Sequence, residues 1–402
     1  MRIVRKIFFI ISKTVACVIA TLILAIAITS FSPVYRFREP KPFSGPDIFN
    51  PYSNLDTTNL WKRANFHTHT RVHGIMNECE YWPAEVYTKL EKFGYDIVTF
   101  SNHNELTIHP FDTSLQVNVY EHGYNLLKYH KLIFGADRVK HRDHILPLFA
   151  FQKQFQINYL KKGSDLVQIN HPLRTPTLSG KQMEKLTGYR LIELDSGRST
   201  ENRYWDMALS AGHYSFAVAN DDLHKPDRSS RIAVRCCFLS CESAQWKDIR
   251  DCLYDGCFYC MRIPDYGHGD WNIKHERNKH LPYIINIGRS DIDDIFVSLS
   301  SSADSIKVIG QNHRTLMTLC NTSFLKYTMK PEDSYARIAA YYPDGEVIYT
   351  NAFARYDASK SDSPFCEELP SINIFLTILF NLALLLISSI CAYTIYKLVR
   401  RK

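Results

Sequence analysis

The chain has 402 residues, 45% hydrophobic and 22% charged, enough for two domains with ordinary cores, which excludes a disordered, collagen-like or disulfide-stapled polypeptide. Its net charge of +7 sits in the termini. Arg2, Arg5, Lys6 and Lys13 at one end, and Lys397, Arg400, Arg401 and Lys402 at the other, have no acid among residues 1–32 or 371–402, and residues 33–370 hold 40 bases against 41 acids, so no nucleic-acid binding is expected from charge.

Residues 1–32 read as an N-terminal transmembrane anchor. Thr14 to Phe31 is an uncharged run of 18 residues, roughly 27 Å as a helix, about one hydrocarbon core. A cleaved signal peptide is the competing reading, with Ala25-Ile26-Ala27 as its cleavage signal. Residues 33–62 carry Pro33, Pro40, Pro42, Pro46 and Pro51 and read as an extended linker.

From 63 to 284, strand-like runs alternate with helical stretches. The runs are Asp96–Phe100, Leu115–Tyr120, His144–Phe151, Asp165–Ile169, Arg190–Leu194 and Tyr214–Ala219. Pro83–Phe93 predicts a helix with proline in its first turn and Gly94 as its stop. Thr200–Ser210 predicts another, with Thr200 as cap and Gly212 just past its end. This alternation predicts a parallel sheet or barrel. Cys236, Cys237, Cys241, Cys252, Cys257 and Cys260 crowd the end of the region. Buried strand cysteines, disulfides and a small zinc site at Cys257-Phe-Tyr-Cys260 are the open readings.

Residues 285–358 change texture. Ile295–Ser300, Ser305–Gly310, Ala336–Tyr342 and Glu346–Tyr349 read as short strands, the last two joined by a turn at Pro343-Asp-Gly345. They predict a small all-β, sandwich-like module. After a linker at 359–370, residues 371–402 hold an uncharged run of 25, Ile372 to Tyr396, then a basic tail. At roughly 38 Å it can span with tilt. The flanking bases put both termini in the cytoplasm and the middle of the chain on the far side of the membrane.

Twelve of the 16 histidines lie between His67 and His224, and several follow strand-like runs directly. His67 and His69 follow Ala64–Phe66, His103 follows Ile97–Phe100, and His171 follows Leu166–Ile169. Glu121 follows Val117–Tyr120, and Asp221, Asp222 and His224 follow Phe216–Ala219. In a parallel barrel such strand ends share one face. Imidazole and carboxylate together suit Zn²⁺, Mn²⁺ or Fe²⁺, and a carboxylate such as Glu121 can bridge two ions. Arg174 and Arg198 lie just past strand ends and could bind phosphate oxygens bidentately.

Four motifs carry a family resemblance: His67-Thr-His69-Thr70, Ser101-Asn102-His103-Asn104, Asn170-His171-Pro172 and Asp222-Leu223-His224. With Glu121 and His130 between the second and third, they resemble the PHP (polymerase and histidinol phosphatase) superfamily. The resemblance covers about residues 63–230. It implies a distorted (β/α)7 TIM-like barrel with two or three divalent ions at one face. It also implies that His67, His69, Glu121 and Asp222 hold one ion, His73, His103 and His224 a second, and Glu121, His130 and His171 a third. Two positions depart from the family pattern. Asn102 stands where aspartate is usual, and His73 is the residue nearest to the ligand that usually follows the first motif.

The expected function is a membrane-anchored, metal-dependent phosphoesterase acting on a phosphorylated substrate by attack of a metal-bound hydroxide. His67, His69, His103, Glu121, Asp222 and His224 are its expected catalytic set. A metal-dependent hydrolase of an amide or lactone and a catalytically inactive PHP-like binding module are the rivals.

Overall fold

The computed structural model describes residues 2–58, 61–74, 77–124, 127–196, 201–291, 293–365 and 369–400. Helix α1 (Arg2–Thr29) is followed by β1 (Tyr35–Arg36) and β2 (Asp47–Phe49). Next come β3 (Lys62–Asn65), α2 (Pro83–Glu91), β4 (Ile97–Val98), β5 (Val119–His122) and β6 (Lys131–Phe134). Then follow α3 (Ala150–Lys161), β7 (Leu166–Ile169), α4 (Gly180–Met183), β8 (Leu191–Ser196), α5 (Tyr204–Ser210) and β9 (Phe216–Asn220). Strand β10 (Arg235–Leu239), α6 (Trp246–Asp255), β11 (Phe258–Arg262) and α7 (Trp271–Asn278) lead into β12 (Ile284–Arg289) and two long strands, β13 (Asp294–Gly310) and β14 (Arg314–Thr328). The chain ends with β15 (Tyr335–Tyr341), β16 (Val347–Thr350), β17 (Phe353–Tyr356), β18 (Ser371–Ile372) and α8 (Ile374–Arg400).

Local chemistry explains the helix boundaries near the site. Pro83 opens α2, where a missing N–H costs nothing, and Glu85 accepts from the Trp82 N–H at 2.8 Å. Gly94 stops the helix with φ +76°, a conformation glycine adopts without strain. Thr200 lies outside the described residues, and α5 begins at Tyr204. The apolar run at 144–149 forms no strand; α3 starts at Ala150.

Strands β5 to β9 form one sheet in chain order. They are buried on both faces, as their continuous apolar runs require. The pairs β7–β8 and β8–β9 are parallel, but β5–β6 and β6–β7 are antiparallel. An 11-stranded sheet holds the remainder apart from β1 and β18, in the order β12-β13-β15-β16-β11-β10-β3-β4, with β14 on β13 and β2–β17 beside β15. The molecule is thus a mixed α/β fold with two apolar terminal helices.

Two expectations change. The strands do not form one continuous closed TIM-like barrel: β6 runs against its neighbours, and the two sheets pair with each other only at single bridges among the described residues, Thr68 with Leu223 and His103 with Glu121. Nor do the strands after 285 form a sheet of their own. Strand β16 pairs with β11, and β11 with β10, so one sheet runs through both regions.

The sheets pack through β9 against β10 and β11. The Cys237 thiol donates to the Ala219 carbonyl at 3.5 Å and the Cys260 thiol to the Ala217 carbonyl at 3.7 Å. All six clustered cysteines are buried, and the described cysteines are free thiols. Burial pushes the Cys236 and Cys241 thiols up to about 11, so they act as compact apolar filling.

Helices α1 and α8 leave the globular part side by side. Strand β1 pairs with β18 antiparallel. The Ser32 N–H donates to Asn381 Oδ1 at 3.3 Å, and the Val34 N–H donates to Thr377 Oγ1 at 2.9 Å. Both helices are long and apolar enough to cross a membrane.

Candidate metal centre

The site forms where β3, β4, β5, β7 and β9 end. Beyond β3, the His69 N–H donates to the Leu223 carbonyl at 2.9 Å, and the Leu223 N–H donates to the His67 carbonyl at 3.1 Å. Beyond β4, the Asn102 carbonyl accepts from the Glu121 N–H at 3.1 Å. These bonds fix the backbones of His67, His69, His103, Glu121 and Asp222 relative to one another. Because β6 is antiparallel, its first residue, Lys131, pairs with His122 and Ile169 at the ends of its neighbours. His130, one residue earlier, therefore enters the same cluster.

Glu121 is central. Its Oε2 lies 3.2 Å from the Nε2 atoms of His67, His69 and His103. Its Oε1 lies 3.1 Å from His130 Nδ1 and 3.3 Å from His171 Nε2, and accepts from Asn170 Nδ2 at 2.7 Å. Asp222 Oδ1 lies 3.2 Å from His67 Nε2, 3.5 Å from His69 Nε2 and 3.1 Å from His224 Nε2, while Oδ2 pairs with Arg174. His171 and Asp222 take φ of +25° and +49°, a costly region for such residues, held here by the surrounding contacts.

Three groups of side chains could hold an ion, each with ligand atoms within 4.8 Å of one another: His67, His69, Glu121 and Asp222; His69, Glu78 and His103; and His103, Glu121 and His130. The first set is the one expected from the motifs. The second contains Glu78 and not His73, whose ring lies 4.9 Å from that of Trp82. His224 stacks on His69 at 4.2 Å. His171 reaches the third group through Glu121. Arg198 lies outside the described residues.

Burial pushes the Glu121 carboxyl up, but His67, His103 and His130 outweigh it and hold it well below the usual range. Asp222 behaves likewise beside His67, His224 and His69. The hydrogen bond from His103 draws Glu78 down to about 2. Three carboxylates are therefore ionised among the imidazoles, and burial holds His130 neutral, down to about 3. Ionised carboxylate and neutral imidazole are the forms that bind metal.

The imidazole nitrogens also fit metal ions. His67 Nε2, His69 Nε2, His103 Nδ1, His130 Nε2 and His171 Nδ1 are buried with no hydrogen-bond partner, a costly state for a polar atom. For His67 and His69 an ion would relieve it where those nitrogens face the carboxylates. His67 Nδ1 lies 2.8 Å from Glu193 Oε1. Burial pushes the His67 imidazole down, but Glu121, Glu193 and Asp222 outweigh it and hold it well above its usual value, so Nδ1 donates to Glu193 and an ion taking Nε2 displaces a proton. A carboxylate behind a ligating histidine orients it and raises its basicity.

Glu78 and Glu193 are the carboxylates that motif reading overlooks. The signal for Glu193 is a charge set between Ile192 and Leu194 in a fully buried strand. Asn102 does not support its neighbouring histidine. Its Oδ1 accepts from the Thr70 N–H at 2.8 Å, and its Nδ2 donates to Thr70 Oγ1 and Thr107 Oγ1, each at 2.7 Å, so it ties two loops together. Asp221 accepts from the backbone of Ala233, Val234 and Arg235 and is structural.

The cluster floors a cavity of about 310 Å³. Four cations line it with the ligands: Lys128, Arg174, Lys225 and Arg231. Of these, the sequence pointed only to Arg174.

No family model and no curated protein matches this sequence. Among the solved structures that resemble it are two. One is a two-domain protein from Bacteroides vulgatus containing a predicted PHP-like metal-dependent phosphoesterase, at 15% identity and TM-score 0.37, covering 78% of this chain and 99% of that one. The chain has PHP-like structural neighbours. The other is the lesion-specific endonuclease EndoQ from Pyrococcus furiosus, at 15% identity and TM-score 0.34, covering 48% of this chain and 56% of that one. At this identity the chemistry rests on this chain's own side chains.

Proposed function

We propose that this chain is a membrane-anchored, metal-dependent phosphoesterase of the PHP type. The observation that carries the reading is the buried His/Glu/Asp cluster beneath a cavity ringed by cations. His67, His69, Glu121 and Asp222 hold one divalent ion. His69, Glu78 and His103 hold a second, with His224 beside them. His103, Glu121 and His130 hold a third, with His171 beside them. Zn²⁺, Mn²⁺ and Fe²⁺ all suit these ligands.

Bound there, such ions polarise a phosphoryl oxygen and lower the pKa of water. The chain supplies the rest. Arg174, Lys128, Lys225 and Arg231 attract the phosphate and orient it over the cluster. Glu193 keeps the His67 proton on Nδ1. In the reaction, water oxygen bonds to phosphorus, the ester P–O bond breaks, and the leaving oxygen gains a proton. The cation ring favours this over hydrolysis of a neutral amide or lactone. Since one sheet runs through residues 63–284 and 285–358, both regions belong to the catalytic unit.

The shared exit of α1 and α8 supports both termini on one side of a membrane and the metal centre on the other. The basic residues at both ends support a cytoplasmic location for the termini. The test uses the full chain in detergent, loaded with Mn²⁺ or Zn²⁺ and given phosphomonoesters, phosphodiesters, amides and lactones. Hydrolysis confined to phosphate esters and abolished by His67→Ala is the expected result. Turnover of the amides or lactones, or metal binding without any turnover, would overturn the reading.

A further inference from the structure

Resting on that reading, we propose that the substrate is a phosphorylated lipid headgroup taken from the same bilayer that the two helices cross. A short chain of contacts links the metal centre to the membrane end of α1. A small cavity is lined by Lys128 and His130 together with His144, Ile145 and Pro147. His130 and Lys128 also line the metal cavity. The His144 ring meets the Thr29 carbonyl, the Ile145 N–H donates to Thr29 Oγ1 at 3.4 Å, and Arg142 donates to the Phe31 carbonyl at 3.0 Å. Thr29 is the last residue of α1.

The same segment meets the other helix. The rings of Phe149 and Phe151 lie 6.3 and 5.0 Å from that of Phe380, about two turns into α8. Residues 142–151 therefore sit at the depth where the spans leave the hydrocarbon, the level of lipid headgroups. Large apolar side chains stand exposed among these elements: Tyr124 in the lining of the small cavity, Leu148 and Phe149 in the segment that meets α8, and Leu173 in the loop after β7. Leu173 immediately precedes Arg174. Thr175 donates to the Lys128 carbonyl at 2.6 Å, which ties the Leu173 loop to the cavity wall.

Exposed apolar groups beside a membrane span bury into the interface, while the adjoining cations attract anionic headgroups. A lipid phosphate can then reach Lys128 and Arg174 while its acyl chains stay in the bilayer. A soluble phosphate ester has no use for the apolar rim. The reaction is the hydrolysis given above, with diacylglycerol as leaving alcohol in the simplest case.

The experiment reconstitutes the full chain, loaded with Mn²⁺, in phosphatidylcholine vesicles containing phosphatidic acid, with glycerol 3-phosphate as the soluble comparison. Phosphatidic acid should be hydrolysed faster. Phe149→Asp, which leaves α3 a good N-cap residue, and Leu173→Asp should each slow it about tenfold, or about 1.4 kcal/mol, with the glycerol 3-phosphate rate unchanged. Faster hydrolysis of glycerol 3-phosphate, or an equal effect of the variants on both substrates, overturns the proposal. A second measurement separates it from the reading beneath it. Trp fluorescence of Leu173→Trp should be quenched by brominated phosphatidylcholine. Hydrolysis of glycerol 3-phosphate without quenching sinks the lipid proposal alone. Quenching without hydrolysis of any ester sinks the phosphoesterase reading, and the lipid substrate with it.

Discussion

Glu193→Gln tests whether the metal centre depends on a carboxylate that touches no ion. Glu193 is buried and surrounded by donors. Its Oε1 faces His67 Nδ1 at 2.8 Å, Asn220 Nδ2 at 3.2 Å and Gln168 Nε2 at 3.4 Å, and its Oε2 accepts from the His171 N–H at 2.7 Å. Glutamine keeps the shape but adds an NH₂ group. Placed at the Oε1 position, that group would oppose three donors; at Oε2, it would oppose one. The cheaper choice leaves His67 a neutral acceptor, a bond about half as strong as the charge-assisted one. It also sets two N–H groups against each other beside His171.

Such partners behind a ligand typically change metal affinity about 10–100-fold when removed, equivalent to about 1.4–2.8 kcal/mol. The assay is competition of the chelator-stripped protein with a chromophoric chelator for Zn²⁺, with a thermal melt as the folding control. Affinity within twofold of the native chain, in a folded protein, would refute the role given to Glu193.

Three further outcomes are expected. Glu78→Gln should lower the number of ions bound per chain, read by elemental mass spectrometry, and His73→Ala should leave it unchanged; the reverse would restore the assignment implied by the resemblance. A Cβ at Gly123 would lie 2.5 Å from the His130 ring at φ +142°, so Gly123→Ala should cost about 1–3 kcal/mol by overpacking, seen as a lower melting temperature and weaker metal binding. Burial raises the Asp206 carboxyl, but Arg337 and His313 outweigh it and hold it below the usual range. Its contribution to stability is thus complete above the unfolded value of about 3.9 and is lost as pH falls below it. The melting temperature should drop in that window, and Asp206→Asn should flatten the drop.

Much of the site was legible because His67, His69, His103, Glu121, His171 and Asp222 each follow an apolar run, and the backbone bridges at Thr68–Leu223 and His103–Glu121 bring those run ends together. Glu78 was hidden because a loop separates it from the first motif. Loop reach has no periodicity, and His73, Glu78 and Glu80 are equivalent on paper. Glu193 was hidden inside an apolar run whose other members are core.

The fold was less legible. Strand β6 is four residues long, too short to reveal its direction, and the single bridges that interrupt the ring of strands leave no mark in the sequence. Strand β14 is mostly exposed, and its core-facing residues Met317, Leu319, Leu325 and Tyr327 are interrupted by Asn321-Thr-Ser323, which breaks the alternation that would announce it. The apolar run at 144–149 follows strand-like composition but serves the contact with α1, which no local pattern encodes. The terminal helices were plain because a span of uncharged residues has few other uses.

The most direct test of the account is the metal content of the full chain, purified in detergent without chelator and measured by elemental mass spectrometry against protein concentration. Two or more divalent transition-metal ions per chain are expected from the three overlapping ligand groups. Less than about half an ion per chain, even after incubation with Zn²⁺ or Mn²⁺, where tight imidazole–carboxylate sites should fill, would contradict it.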